Sequence, residues 1–229
     1  MLISLEGNIS SGKTTLFNKL KEKYEHSDII FVPEPVEQWQ SLLDEDGNSM
    51  LEKFYDNKKK YSFMFQIMVA QTRIEKIKKA RQYNKNSVII TERSVYSSRK
   101  IFCQMLYEMK DSMEYVEYKI YRDMYDTVFK AYEPDYIIYL KTDAEICLER
   151  LHKRNRYGEC NISLEYLQNI EHYHEAMINS LSDTNIICNL ELNGNQEMCN
   201  QYFKNCIDEI GKLIHNLYKE IYFKKEDIC

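Results

Sequence analysis

The sequence is poor in the residues that interrupt regular structure. Only 6 glycines and 3 prolines occur in 229 residues. Pro33, Pro35 and Pro134 all sit at the ends of short apolar runs, where a ring without an N–H punctuates an element instead of breaking it. No internal repeat, low-complexity stretch or linker rich in Pro, Gly or Ser is present, so residues 1–229 read as one domain. Excess positive charge is missing too: 31 Lys and Arg stand against 36 Asp and Glu, for a net charge of -5. With no global basic field, nucleic acid is not an expected partner, and the 19 tyrosines read as core and surface aromatics, not as a stacking platform. No apolar run approaches the roughly 18 residues of a membrane span, so no membrane association is expected. Seven cysteines, at 103, 147, 160, 188, 199, 206 and 229, form an odd set without a CxxC pair. Neither a disulfide framework nor a tetrahedral zinc site follows, and a reducing, cytoplasmic location fits best. Met1 to Leu5 lead straight into a motif, leaving no expected room for a signal or transit peptide.

What remains is mostly helix-forming sequence with short β-rich runs at wide intervals: Leu2 to Leu5, Ile29 to Val32, Val88 to Thr91, Tyr136 to Leu140 and Ile186 to Leu190. Each gap is long enough for helical crossovers, which predicts an α/β protein with a parallel sheet of five strands flanked by helices. The longest helical candidate, about Lys58 to Gln82, carries Phe63, Ile67, Ala70, Ile74 and Ile77 as a single apolar stripe. A closing helix places Ile207, Ile210, Ile214, Leu217 and Ile221 on one face.

Between the first strand and a helix from Thr15 to Tyr24 lies Gly7-Asn8-Ile9-Ser10-Ser11-Gly12-Lys13-Thr14, which fits G-x-x-x-x-G-K-[ST]. Glycines let the backbone curl so that its N–H groups and the helix N-terminus face a polyphosphate. Lys13 would reach the β and γ phosphates, and Thr14 would offer its hydroxyl to Mg²⁺. A nucleoside triphosphate ligand is expected. In such sheets ligands bind beyond the carboxyl ends of the strands, where three further groups stand. Glu34, between Pro33 and Pro35, cannot belong to a regular helix and suits a base that accepts a hydroxyl proton. Glu92 could hold Mg²⁺ through water, and Arg93 could clamp a transferring phosphate. Arg150, Arg154 and Arg156 precede Tyr157-Gly158-Glu159, a cationic segment able to close over phosphates. His172 and His174 point away from one another on a helix, so a solvated or lid-side face is expected there, not a metal site.

Taken in order, EGNISSGKTT, PEPVEQW, YSFMFQ with Arg73, TERSVYSSR and RLHKRNRYGE resemble the deoxynucleoside kinases of the deoxycytidine, deoxyguanosine and mitochondrial thymidine kinase family, from Leu2 to about Leu181. The resemblance implies a P-loop kinase fold with an arginine-rich lid at about 150–162. It implies transfer of the γ phosphoryl of ATP or another nucleoside triphosphate to the 5' hydroxyl of a 2'-deoxynucleoside, with Mg²⁺, in a homodimer. It gives Glu34 the role of general base, Arg93 contact with the hydroxyl and the phosphoryl group, and Thr14 and Glu92 the metal. Tyr55 and Glu159 match the pair on the sugar's 3' hydroxyl, Trp39, Phe65 and Gln66 the base pocket, and Arg154 and Arg156, with Arg150 behind them, the lid. In the deoxycytidine and purine enzymes of the family, the arginine matched by Arg73 pairs with an aspartate where Ser98 stands. Thymidine-type members carry a small uncharged residue there but usually lack the arginine. Arg73 must therefore find another acceptor, such as a base carbonyl or water. Two alternatives compete: a thymidylate-type monophosphate kinase, which should carry Asp-Arg-aromatic where Glu92-Arg93-Ser94 stands, and an inactive nucleotide-binding regulatory module, against which the intact Glu34 and Arg93 argue.

Overall fold

The computed structural model describes residues 1–84, 87–109, 112–155 and 162–226, with the side chains of 189 and 220–226 left aside. In chain order the elements are β1 (Leu2–Gly7), α1 (Lys13–Lys23), β2 (Ile30–Val32), α2 (Val36–Ser41), α3 (Met50–Asp56), α4 (Lys58–Tyr83) and β3 (Ile89–Glu92). There follow α5 (Val95–Ser97), a π-helical segment (Ser98–Cys103), α6 (Gln104–Glu108), α7 (Tyr115–Thr127), β4 (Tyr136–Lys141), α8 (Ala144–Arg154), α9 (Leu164–Asn179), β5 (Ile187–Asn193) and α10 (Asn200–Glu226). The five strands form one parallel sheet in the order β2-β3-β1-β4-β5, so the expected α/β architecture holds. β5 runs three residues past the predicted end, and its pairing with β4 slips between Ile137 and Ile138.

Strand parity sorts the core onto two faces. Ile3 and Leu5 of β1 and Ile138 and Leu140 of β4 pack with Leu16, Phe17 and Leu20 of α1 and with Ile210, Ile214 and Leu217 of α10. On the opposite face, Ile137 and Tyr139 of β4 join α4, α7 and α9. The residues of β1 with the same parity there are Leu2 at its start and then Ser4 and Glu6, the last two fully buried, so a polar stripe runs from the middle of the strand toward the phosphate loop.

Of the two predicted stripes, that of α4 is shifted and that of α10 holds over its described residues. On α4 the buried face is Ser62, Phe65, Gln66, Val69, Ala70, Arg73, Ile74, Ile77 and Ala80, while Phe63 and Ile67 are only half-buried at its margin. The displacement arises because two polar residues, Gln66 and Arg73, occupy the centre of the buried face, where an apolar pattern does not look for them. On α10, Ile210, Ile214 and Leu217 are buried and Ile207 is partly so; Ile221 lies outside the described side chains. His174, expected at a solvated face, is fully buried. Its ring stacks on Tyr139 at 5.7 Å, and its Nδ1 lies 2.8 Å from the carbonyl of Ile170.

Candidate active site

β1 is the central strand, so the turn that follows it opens at the middle of the sheet's carboxyl edge. Gly7 (φ +152) and Gly12 (φ +101) have positive φ, as does Ser10 (φ 59). A Cβ on Gly7 would lie 2.6 Å from the Leu140 carbonyl oxygen, and one on Gly12 would collide with the Met198 methyl. Both positions therefore require glycine. Ile9, Ser10, Gly12, Lys13, Thr14 and Thr15 line the large cavity described below. Lys13 donates from Nζ to the Asn8 carbonyl (2.5 Å). Burial, with Arg93 adding to it, pushes the ammonium down to about 7 against the pull of Glu92 and Glu34. Thr14 donates its hydroxyl to Glu92 Oε1 (2.5 Å), bringing two oxygen donors together beside the lysine. Asn8 and Ser11 are buried behind the loop, and the Asn8 amide donates to the Leu167 carbonyl of α9 (2.9 Å). Arg150 donates to the carbonyls of Ser11 and Gln196, 3.0 Å each, clasping the loop to the β5–α10 connection.

β2 and β3 are parallel neighbours, so the residues leaving their carboxyl ends converge. Glu34 follows β2 between its prolines. Arg93 follows β3 with a left-handed backbone (φ 64), pinned by its N–H to the Leu5 carbonyl (3.0 Å). Arg93 Nε lies 3.4 Å from Glu34 Oε1. Beneath it, Ser94 donates to Glu6 Oε1 (2.6 Å) and caps α5 in a reciprocal box with Ser97. Arg73 enters from α4. Its Nη2 pairs with the same Glu34 oxygen, and its Nη1 donates to Ser98 Oγ. The arginine thus has two protein acceptors, where the sequence suggested a base carbonyl or water. Burial alone would raise the Glu34 carboxyl, but Arg73, Arg93 and Lys13 together hold it below the usual carboxylate value.

Next to this cluster lies an apolar pocket. Trp39 of α2 meets Phe65 of α4 edge-on at 5.6 Å, and Phe65 stacks on Phe54 of α3 at 4.4 Å. The indole N–H donates to Thr72 Oγ1 (3.0 Å), and the Arg73 guanidinium sits 5.6 Å from the Trp39 ring. Gln66 Oε1 is buried without a hydrogen-bond partner among the described residues. Phosphate loop, Glu34, Glu92, Arg93, Arg73, Trp39, Tyr55, Phe65, Gln66, Arg150 and Arg154 all line one cavity of about 830 Å³; Ser98 stands buried behind Arg73. Arg156 and Glu159 lie outside the described residues. Phe54, Leu51, Val69, Phe102, Tyr166 and Met198 also line the cavity and were not predicted. Only α3 carried a readable sign, the Ser49 and Glu52 capping box.

A family model described as deoxynucleoside kinase matches residues 3–215. Among curated proteins, the deoxycytidine kinases of Bos taurus and Homo sapiens are 38% and 36% identical over 200 residues, 77% of this chain and 74% of theirs. A probable deoxycytidine kinase of fowlpox virus is 32% identical over 223 residues, 96% of this chain and 89% of its own. With a phosphate loop at the centre of a parallel sheet and a match across nearly its whole length, the chain belongs to the deoxynucleoside kinase family and is a transferase that phosphorylates nucleosides from ATP.

Proposed function

We propose that Glu34 takes the proton of the substrate's 5' hydroxyl while Lys13 and Arg93 neutralise charge on the γ phosphoryl during in-line transfer. The observation that carries this reading is a half-buried carboxylate paired with Arg73 and Arg93, and held in its ionised form by them and Lys13, in the cavity that also holds the phosphate loop. Trp39, Phe65 and Gln66 take the base, Tyr55 and Glu159 the sugar's 3' hydroxyl, and Arg154 and Arg156 the donor phosphates, with Arg150 fastening the loop behind them. The phosphates meet the backbone of Gly7, Asn8, Ile9, Ser10, Ser11 and Gly12, the head of α1 at Lys13, and Thr14 and Thr15. Thr14 and Glu92, a hydroxyl and a carboxylate in contact, are hard oxygen donors that suit Mg²⁺. The ion would supply charge neutralisation at the phosphates.

Deoxycytidine is the first acceptor to test, because the relatives carry that name. The assay is phosphate transfer from ATP to the four natural deoxynucleosides, with thymidine monophosphate in parallel. Transfer to a nucleoside and loss of turnover in Glu34→Gln support the reading; transfer to the monophosphate alone, or full turnover in the variant, overturns it. We further infer one domain, a cytoplasmic location from the odd cysteine set, and a homodimer. Exposed Met64 on α4 and Tyr115, Val116 and Ile120 on α7 are apolar side chains a second copy would cover; light scattering tests this. No helix among the described residues is long and apolar enough to cross a membrane.

A further inference from the structure

Arg73 lies seven residues after Gln66 on the buried face of α4, which ties it to the base pocket, yet its guanidinium does not wait there for a ligand. Ser98 explains why. Its hydroxyl hydrogen is committed to the Ser94 carbonyl (3.0 Å), so its lone pairs face Arg73 and accept from Nη1 alone. A neutral single acceptor leaves Nη2 to a second partner, and the nearest is Glu34 Oε1. Arg73 is 5% and Glu34 17% exposed, so the pair is shielded from solvent, where a charge-assisted hydrogen bond fixes orientation strongly. Arg93 reaches the same oxygen from 3.4 Å, and Lys76 donates to the neighbouring Pro33 carbonyl (3.5 Å).

We infer that Arg73 is a positioning residue for the Glu34 carboxylate, and that Ser98 allows this by leaving one guanidinium nitrogen uncommitted. The inference rests on Glu34 acting as the base. It makes Arg73 matter to the transfer step whichever base the nucleoside carries, whereas a residue that only recognises the base alters substrate binding. The charged groups facing Glu34 are Arg73 from α4, Arg93 from the β3–α5 turn and Lys13 from the head of α1. Removal of one of three cations raises the proton affinity of the carboxylate, so its ionised form is lost at a higher pH.

The test is steady-state kinetics of Arg73→Gln, Arg73→Lys and Glu34→Gln on every deoxynucleoside accepted by the full chain, across a pH series. R73Q is expected to lower kcat by a similar factor on each base, on the order of 10- to 100-fold, and to move the acid limb of kcat to higher pH. R73K, which keeps the charge, should return the limb and part of the rate. A rise in KM for one base, with kcat and the limb unchanged, overturns the inference. If that occurs while E34Q has lost turnover, Glu34 keeps its role and only Arg73 loses the one assigned here. Full turnover in E34Q removes both. Should R73Q fail to fold by circular dichroism, Ser98→Asp carries the same test. An aspartate there competes for the guanidinium and moves the limb upward, and an unmoved limb overturns the inference.

Discussion

His174 gives the most direct stability test. Its ring is fully buried, stacked on Tyr139, and placed so that Nδ1–H donates to the Ile170 carbonyl. Burial, helped by the nearby Arg93 and Lys13 charges, drives its proton affinity well below the ordinary value of 6.5. A histidine neutral in the folded protein and free to protonate in the unfolded chain destabilises the fold as pH drops below the unfolded value. The slope is one proton, about 1.4 kcal/mol per pH unit while the folded form stays neutral. Between about pH 7.5 and 5.5 the ratio of unfolded partition functions is roughly tenfold, so this residue alone should cost about 1.4 kcal/mol. Many carboxylates titrate on acidification, so the useful quantity is a difference between variants. His174→Phe keeps an aromatic ring against Tyr139, and the Ile170 carbonyl still receives the backbone N–H of residue 174 in α9. Urea unfolding of both proteins at the two pH values should show the wild type losing about 1.4 kcal/mol more than H174F. Equal losses would mean that the folded protein already accepts a proton there, and the account of a sealed, neutral imidazole would be wrong.

Other expectations concern the donor side. With Lys13 pushed down to about 7 in the free protein by burial, ATP binding at alkaline pH must be accompanied by uptake of a proton from solvent onto the lysine; affinity should fall about tenfold per unit above pH 7. Calorimetry at about pH 8 in buffers of different ionisation heats should detect proton uptake, and buffer-independent heats would refute this. Arg150→Ala frees the Ser11 and Gln196 carbonyls and should raise KM for ATP about tenfold, equivalent to about 1.4 kcal/mol; an unchanged KM would remove Arg150 from loop support. Gly12→Ala meets both a left-handed φ and the Met198 methyl. It should lower the melting temperature, and the double variant with Met198→Ala should recover part of the loss. If the double variant is no more stable than G12A, strain at φ, about 1–2 kcal/mol, is the whole effect.

The phosphate loop could be read from the sequence because its chemistry is local: spacing, glycines and a strand on one side with a helix on the other lie within a dozen residues. The five strands were visible for the same reason, although their order was not, since lateral order depends on crossovers that no local pattern records. That order decides the meeting of Glu34 with Arg93, which follows from β2 lying beside β3. Arg73 and Ser98 are both legible in the sequence, but the link from Arg73 to Glu34 crosses 39 positions and depends on how α4 lies over the strand ends. Phe54 carries no sign of the site in the sequence, because a phenylalanine on a short helix reads as ordinary core and its stacking on Phe65 is a tertiary contact. The burial of His174 is not legible in the sequence because its neighbours Glu171, His172 and Glu175 suggest a wet face, while its partner Tyr139 lies on another element.

The left-handed backbone of Arg93 (φ 64) has a consequence for how variants of this enzyme should be selected. Outside glycine such a conformation costs about 1–2 kcal/mol, and here a long charged side chain is also held at 5% exposure. Arginine at this position is therefore kept in spite of the backbone, for the guanidinium it delivers beside Glu34. A library screened for heat resistance alone should enrich R93G, and a library screened for turnover should reject it. At this residue the two screens pull in opposite directions, so a thermostable lineage needs an activity filter at every round.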